Sequence, residues 1–153
     1  EMIKRITTPQ EFQRLLDDIF LLFDYENSNE GHMLSHNKEY IFNAFGNAHI
    51  LNWDFFVWAN ENEESKKFDA VIAFLNNKNE KFGEEIFCEY IWLSKNPLVG
   101  RKLLGVAMNF AKEKDFKYVM MNCVTAHPKS KKVARFYEKL GFVKDCETYM
   151  AEI

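Results

Sequence analysis

Proline and glycine are scarce, three and six in 153 residues, so no Pro- or Gly-rich linker divides the chain into domains. Cysteine is scarcer than a disulfide scaffold needs. Cys88, Cys123 and Cys146 are odd in number and far apart, which suits free thiols in a reducing compartment. No apolar run approaches the roughly 20 residues of a membrane helix. The first residues carry neither a basic n-region nor a small-residue cleavage site; the expectation is a cytoplasmic chain, off the membrane, with Met2 as its natural start. A basic excess is also missing. The net charge of −3 argues against a partner of duplex nucleic acid. Four histidines, His32, His36, His49 and His127, show no metal-ligand spacing and no HExxH-like acid, so no metal is expected.

What is abundant is apolar and aromatic surface: 47% hydrophobic residues, with fifteen Phe, six Tyr and three Trp. That is enough to bury one core, and a single domain over residues 2–153 is expected. Residues 2–7 alternate as a short strand. Thr8, Pro9 and Glu11 supply an N-cap, a first-turn proline and a capping-box acid, and Phe12, Leu15, Leu16, Ile19, Phe20 and Phe23 follow at helical spacing. A polar loop is expected over 24–35, and a second helix over 37–45. Three strand-like runs at 50–59, 68–75 and 85–93, separated by short polar turns, predict an antiparallel meander. The period then becomes helical, with Leu104, Ala107, Met108 and Ala111 on one face. A buried strand over 118–124 follows, then a helix opened by Pro128 and stopped by Gly141. A short strand or hairpin to Ile153 closes the order. The fold class is α+β, a mixed and mostly antiparallel sheet flanked by about four helices.

Three stretches carry a family likeness. Residues 133–142, VARFYEKLGF, place Phe-Tyr at a helix end and Gly-Phe at the strand entry. Residues 103–122, LLGVAMNFAKEKDFKYVMMN, read as a helix followed by a buried strand. Before them, Lys95, Leu98 and Gly100 fall on the Arg/Gln-x-x-Gly-x-Gly/Ala positions of a phosphate loop, with Leu98 in place of the first glycine. In these stretches and in element order, the sequence resembles the GCN5-related N-acetyltransferases. The resemblance implies transfer of an acetyl group from acetyl-coenzyme A, as co-substrate, to a primary amine of a small molecule or protein. A non-catalytic acyl-coenzyme A or protein-binding module is the alternative on the same fold.

The resemblance also implies a site. The family's fourth and fifth strands run parallel and splay apart, and the pantetheine arm pairs with the exposed backbone like an added strand; here that backbone is 90–94, including Trp92, Leu93 and Ser94. Helix N-termini bind phosphates through converging N–H groups, which assigns Lys95, Leu98, Val99, Gly100, Arg101 and Lys102 to the pyrophosphate. Equally, Asn-Pro-Leu-Val-Gly is a sound strand-to-helix turn with no ligand. Ser130 stands where the family often has an asparagine that bonds the arm, and Val133 lies in the same helix. Tyr137 takes the position of the family's general acid, although it also belongs to an apolar stripe with Val133, Phe136 and Leu140. Glu89 is the best-placed base; an exposed strand glutamate also serves simply to solvate a face, and a water chain can replace it. His127 reads as a helix cap. Trp53 and Trp58 read as core or edge aromatics. The acceptor pocket should lie among the first two helices, their loop and the final hairpin, where Asp24, Glu26 and Glu30 would attract a cationic amine. A homodimer is left open.

Overall fold

The computed structural model describes residues 2–29, 37–50, 54–79, 81, 83–123 and 128–153. The expectations for His32, His36, His127, Glu30 and Trp53 lie outside the described residues, as do those for the side chains of Phe20, Phe23, Asp24, Glu26 and His49. The elements are β1 (Met2–Ile6), α1 (Pro9–Asn29), α2 (Lys38–Ile50), β2 (Phe55–Glu61), β3 (Phe68–Asn79), β4 (Glu84–Ser94), α3 (Pro97–Glu113), β5 (Tyr118–Met120) and α4 (Ser130–Lys139). They form one sheet in the order β1-β2-β3-β4-β5. Each neighbouring pair among the first four strands is antiparallel, and β5 joins β4 in parallel.

Helix α1 starts as its sequence predicts. Thr8 Oγ1 accepts from the Glu11 N–H at 3.2 Å and donates to Glu11 Oε1 at 3.1 Å, the N-cap half of a capping box with the two side chains bonded to each other. Its far end corrects the expected loop at 24. No Gly or Pro occurs between Pro9 and Gly31, so nothing breaks the backbone ladder, and the polar turn 24–29 stays helical. Asn37 caps α2 by accepting the Tyr40 N–H at 3.1 Å. That helix continues beyond 45 to Ile50, which moves the start of the next strand from 50 to Phe55.

The core forms on both sheet faces because strand side chains alternate. Val57, Ala59, Val71 and Ala73 pack with Phe12, Leu15, Leu16, Ile19, Ile41 and Phe45 of α1 and α2. Their neighbours Trp58, Ala70, Ile72 and Phe74 pack with Val99, Leu103, Leu104, Ala107 and Ala111 of α3. Strand β4 breaks the alternation. Phe74 pairs with Glu89 but Ala73 pairs with Ile91, so Tyr90 is an extra residue, a β-bulge. Before the bulge Phe87 faces α3; after it Ile91 and Leu93 face α1 and α2.

Helices α3 and α4 end alike. Phe116 N–H donates to Ala111 O and Asp115 N–H to Lys112 O, with Asp115 at φ 59. Phe142 N–H donates to Tyr137 O and Gly141 N–H to Glu138 O, with Gly141 at φ 91. Both are Schellman motifs. The second also brings the rings of Tyr137 and Phe142 to 5.6 Å, the hydrophobic contact that accompanies this motif.

Two expectations for the last third are corrected. Strand β5 spans three residues instead of the seven of 118–124. Residues 142–153 form no strand, and Val143, Tyr149 and Ile153 stand exposed. Charges at Lys144, Asp145, Glu147 and Glu152 interrupt the apolar alternation that strand pairing rewards, and Lys144 pairs locally with Glu147.

Phe87 anchors the α3 side. It is fully buried and stacked on Phe74 at 4.2 Å. Phe87→Ala should cost about 3–5 kcal/mol in urea unfolding monitored by circular dichroism.

Candidate active site

The parallel ladder between β4 and β5 pairs Ile86 with Tyr118, Phe87 with Val119 and Cys88 with Met120, and stops there. The next residues are joined through side chains. Asn122 N–H donates to Glu89 Oε2 at 2.7 Å, Asn122 Nδ2 donates to Glu89 O at 3.1 Å, and Tyr137 Oη donates to Asn122 O at 2.9 Å. Glu89 and Tyr137, remote in sequence, are thus bridged by one residue that sequence reasoning passed over. Its only sequence signal is a lone amide after the apolar run YVMM.

Tyr137 is 7% exposed. Its ring lies 6.3 Å from that of Trp92 and 6.2 Å from that of Phe136. Tyr137 is thus packed as a core tyrosine, and its hydroxyl reaches the end of the β4–β5 ladder. Burial, and next the negative charge of Glu89, push its phenol far above the ordinary tyrosine value. Burial followed by Glu89 also raises the thiols of Cys88 and Cys123. One carboxylate thus faces three protonated acids. Glu85 lies on the same strand face as Glu89 before the bulge but is exposed and pairs with Lys78, away from this cluster.

The remaining predicted positions divide into three groups. Trp92, Gly100 and Arg101 converge: Trp92 Nε1 donates to Gly100 O at 3.1 Å, and the Arg101 guanidinium lies 5.2 Å over the Phe136 ring. A Cβ on Gly100 would meet Ser94 Cβ at 3.3 Å, so this glycine allows the first turn of α3 to sit close against β4. Leu93 and Val99 are buried in opposite core faces, which leaves their backbone groups as the parts able to meet a ligand. Lys95, Leu98 and Lys102 are exposed; Leu98, 66% exposed, projects where the loop pattern has glycine.

The start of α3 caps itself. Asn96 Oδ1 accepts the Leu98 N–H at 3.0 Å, and Pro97 has no N–H to offer. Ser94 Oγ donates to Asn96 O at 2.7 Å, tying the turn to β4. In α4, Ser130 and Val133 are half-buried, and Ser130 O accepts the Cys123 thiol at 3.4 Å. Helix α4 begins at Ser130 with Lys129 as its N-cap, without a side-chain capping bond, two residues beyond the expected opening at Pro128.

Chemically, this arrangement can accept a proton at Glu89 and donate one from Tyr137. It also leaves the β4 backbone beyond Cys88 without a ladder partner on its β5 side among the described residues. Such a backbone can take an extended amide-bearing ligand as an added strand.

No family model matches the chain, and no curated protein sequence matches it. Solved structures do. A probable acetyltransferase superposes with a TM-score of 0.68 at 19% identity, covering 100% of this chain and 98% of the other. Glucosamine-6-phosphate N-acetyltransferase from Arabidopsis thaliana gives 0.68 at 16% identity, with 99% of each chain covered. An aminoglycoside acetyltransferase from an uncultured soil metagenomic sample, solved with sisomicin, gives 0.66 at 14% identity over 99% of this chain and 96% of the other. The class so defined is the acetyltransferase fold. More narrowly, the chain has the GCN5-related N-acetyltransferase fold that its VARFYEKLGF ending resembles.

The raised acids make stability pH-dependent in a definite direction. The thiols of Cys88 and Cys123 ordinarily titrate at 9.0 and the Tyr137 phenol at 10.0. In the unfolded chain these groups lose protons at those values, whereas the folded protein holds them longer. Above about pH 9 the unfolded state therefore binds fewer protons, and stability falls as pH rises. In urea titrations from pH 7 to 11, Tyr137→Phe should remove the part of this fall that sets in above 10.0.

Proposed function

We propose that the protein is an N-acetyltransferase that moves an acetyl group from acetyl-coenzyme A to a primary amine of a small molecule or protein. The observation that carries this reading is the junction where the parallel β4–β5 ladder ends beside a β4 bulge, with Glu89 and the Tyr137 hydroxyl bridged across it. Full-length likeness to acetyltransferase structures supports it.

On this reading the pantetheine arm pairs with the β4 backbone over 90–94, including Trp92, Leu93 and Ser94, and Ser130 and Val133 border it. Val99 and Gly100 offer backbone to the pyrophosphate, Leu98 contributes apolar contact, and Lys95, Arg101 and Lys102 supply positive charge. The co-substrate brings the acetyl group as a thioester. Glu89, directly or through water, accepts a proton from the acceptor amine. The amine nitrogen then bonds to the acetyl carbon, and the carbon–sulfur bond breaks. Tyr137 supplies the proton that the departing thiolate needs. A phenol with a raised pKa is fully protonated at neutral pH, as a donor must be. Its transfer becomes favourable only as negative charge develops on sulfur beside it.

Thermal unfolding with acetyl-coenzyme A tests the site, because a ligand of the native state alone adds about 2.7 kcal/mol at a hundred times its Kd. The unfolding temperature should rise by several degrees. No rise at millimolar ligand would overturn the coenzyme reading. For catalysis, Tyr137→Phe should lower coenzyme A thiol release, assayed over a panel of primary amines, by about 100-fold with the acetyl-coenzyme A KM little changed. Equal turnover in the variant would remove Tyr137 as the acid. Stabilisation of the wild type without turnover on any amine would favour the binding-module alternative.

A further inference from the structure

Resting on that reading, we propose that Asn122 is a positioning residue: it sets the opening between β4 and the chain after β5, and it aims Glu89 and Tyr137 into that opening. In a parallel ladder, direct backbone N–H···O=C bonds hold neighbouring strands about 4.8 Å apart. Beyond Cys88 and Met120 those direct bonds give way to two bridges that each contain a side chain. Glu89's carboxylate reaches across to the Asn122 N–H, and Asn122's carboxamide reaches back to the Glu89 carbonyl. Both backbone groups are satisfied, but by spacers longer than a peptide bond. The ladder cannot zip further while both bridges stand. Asn122 thereby supplies an amide where the next strand residue would place one, and it marks the point beyond which the β4 backbone is available to another amide-bearing chain.

The third bond fixes the other wall. Tyr137 donates to Asn122 O, so β4 and α4 locate the same peptide from two sides. The Tyr137 ring cannot swing away, since Trp92 and Phe142 lie at 6.3 Å and 5.6 Å and the Schellman turn holds Phe142. Among the described residues, the groups that feel the charge of Glu89 include Cys88 on its own strand, Cys123 after β5 and Tyr137 on α4, with Lys144 acting on Cys123 from the C-terminal segment. The Asn122 N–H is a neutral donor to the Glu89 carboxylate.

Two variants test this in the full chain. Asn122→Ala deletes the carboxamide, and Asn122→Asp keeps its shape while replacing the donor with a carboxylate. Carbon-13 NMR of the ligand-free protein reads the titration midpoint of the Glu89 carboxyl. The midpoint should rise by about one pH unit in Asn122→Asp, where a carboxylate comes to stand beside Glu89, and stay near wild type in Asn122→Ala, which keeps the backbone N–H that bonds Glu89 Oε2. Should Asn122→Ala not fold, Asn122→Asp carries the same measurement. Calorimetry with acetyl-coenzyme A reads the opening: Asn122→Ala should bind about tenfold more weakly than wild type, the size of one lost hydrogen bond. An unchanged Glu89 midpoint in Asn122→Asp overturns the proposal, and so does wild-type affinity in Asn122→Ala. If the wild type itself binds no acetyl-coenzyme A, the acetyltransferase reading falls, and the NMR midpoints still decide the role of Asn122.

Discussion

Tyr90 has no counterpart on β3, and β4 leaves that insertion with its side chains exchanged between the two faces of the sheet. In a strand without it, position 92 would point toward α1 and α2 and positions 91 and 93 toward α3. With it, Ile91 and Leu93 complete the α1–α2 core while Trp92 emerges on the α3 face. There its indole N–H reaches Gly100 O and its ring meets Phe136 and Tyr137. A bulge also sharpens local twist and bends its strand, which is the condition for β4 and β5 to part after only three pairs. The contacts of Trp92 with α3's first turn and with α4 follow from this single extra residue.

Around that gap, helix ends place the functional groups. Asn96 and Ser94 secure the start of α3 on the end of β4, and Gly100 allows the close approach. The end of α4 is held by a Schellman turn whose hydrophobic contact is Tyr137 against Phe142. A buried phenol needs a hydrogen-bond partner. It finds the carbonyl of Asn122, and the same residue's amides hold Glu89. Burial, and next the negative charge of Glu89, keep the protons on the acids around it.

Local signals in the sequence were sound wherever the cause is local. The Thr8 capping box, the Asn96-Pro97 start of α3 and the Gly141 stop of α4 all read correctly, because each rests on residues within one turn of one another. Tyr137 and Gly-Phe were legible for the same reason: their spacing is the Schellman spacing. Failures occurred where no local residue decides. The polar turn 24–29 contains no breaker and remains helical, and the expected last strand lacks a pairing surface that would repay its charged residues.

By itself the sequence determined the α+β order, the core-facing stripe of the first helix and the caps that start α1 and α3 and stop α4, because periodicity and capping act over a few residues. It also carried, as a family likeness, the proximity of 90–94 to Tyr137. Only the tertiary structure decided the bulge at Tyr90, the early end of the β4–β5 ladder and the bridge through Asn122. The bulge is a mismatch in count between two strands, and the bridge joins residues 33 apart in the chain. Neither leaves a mark on the local pattern of either segment, since each exists only as a relation between them.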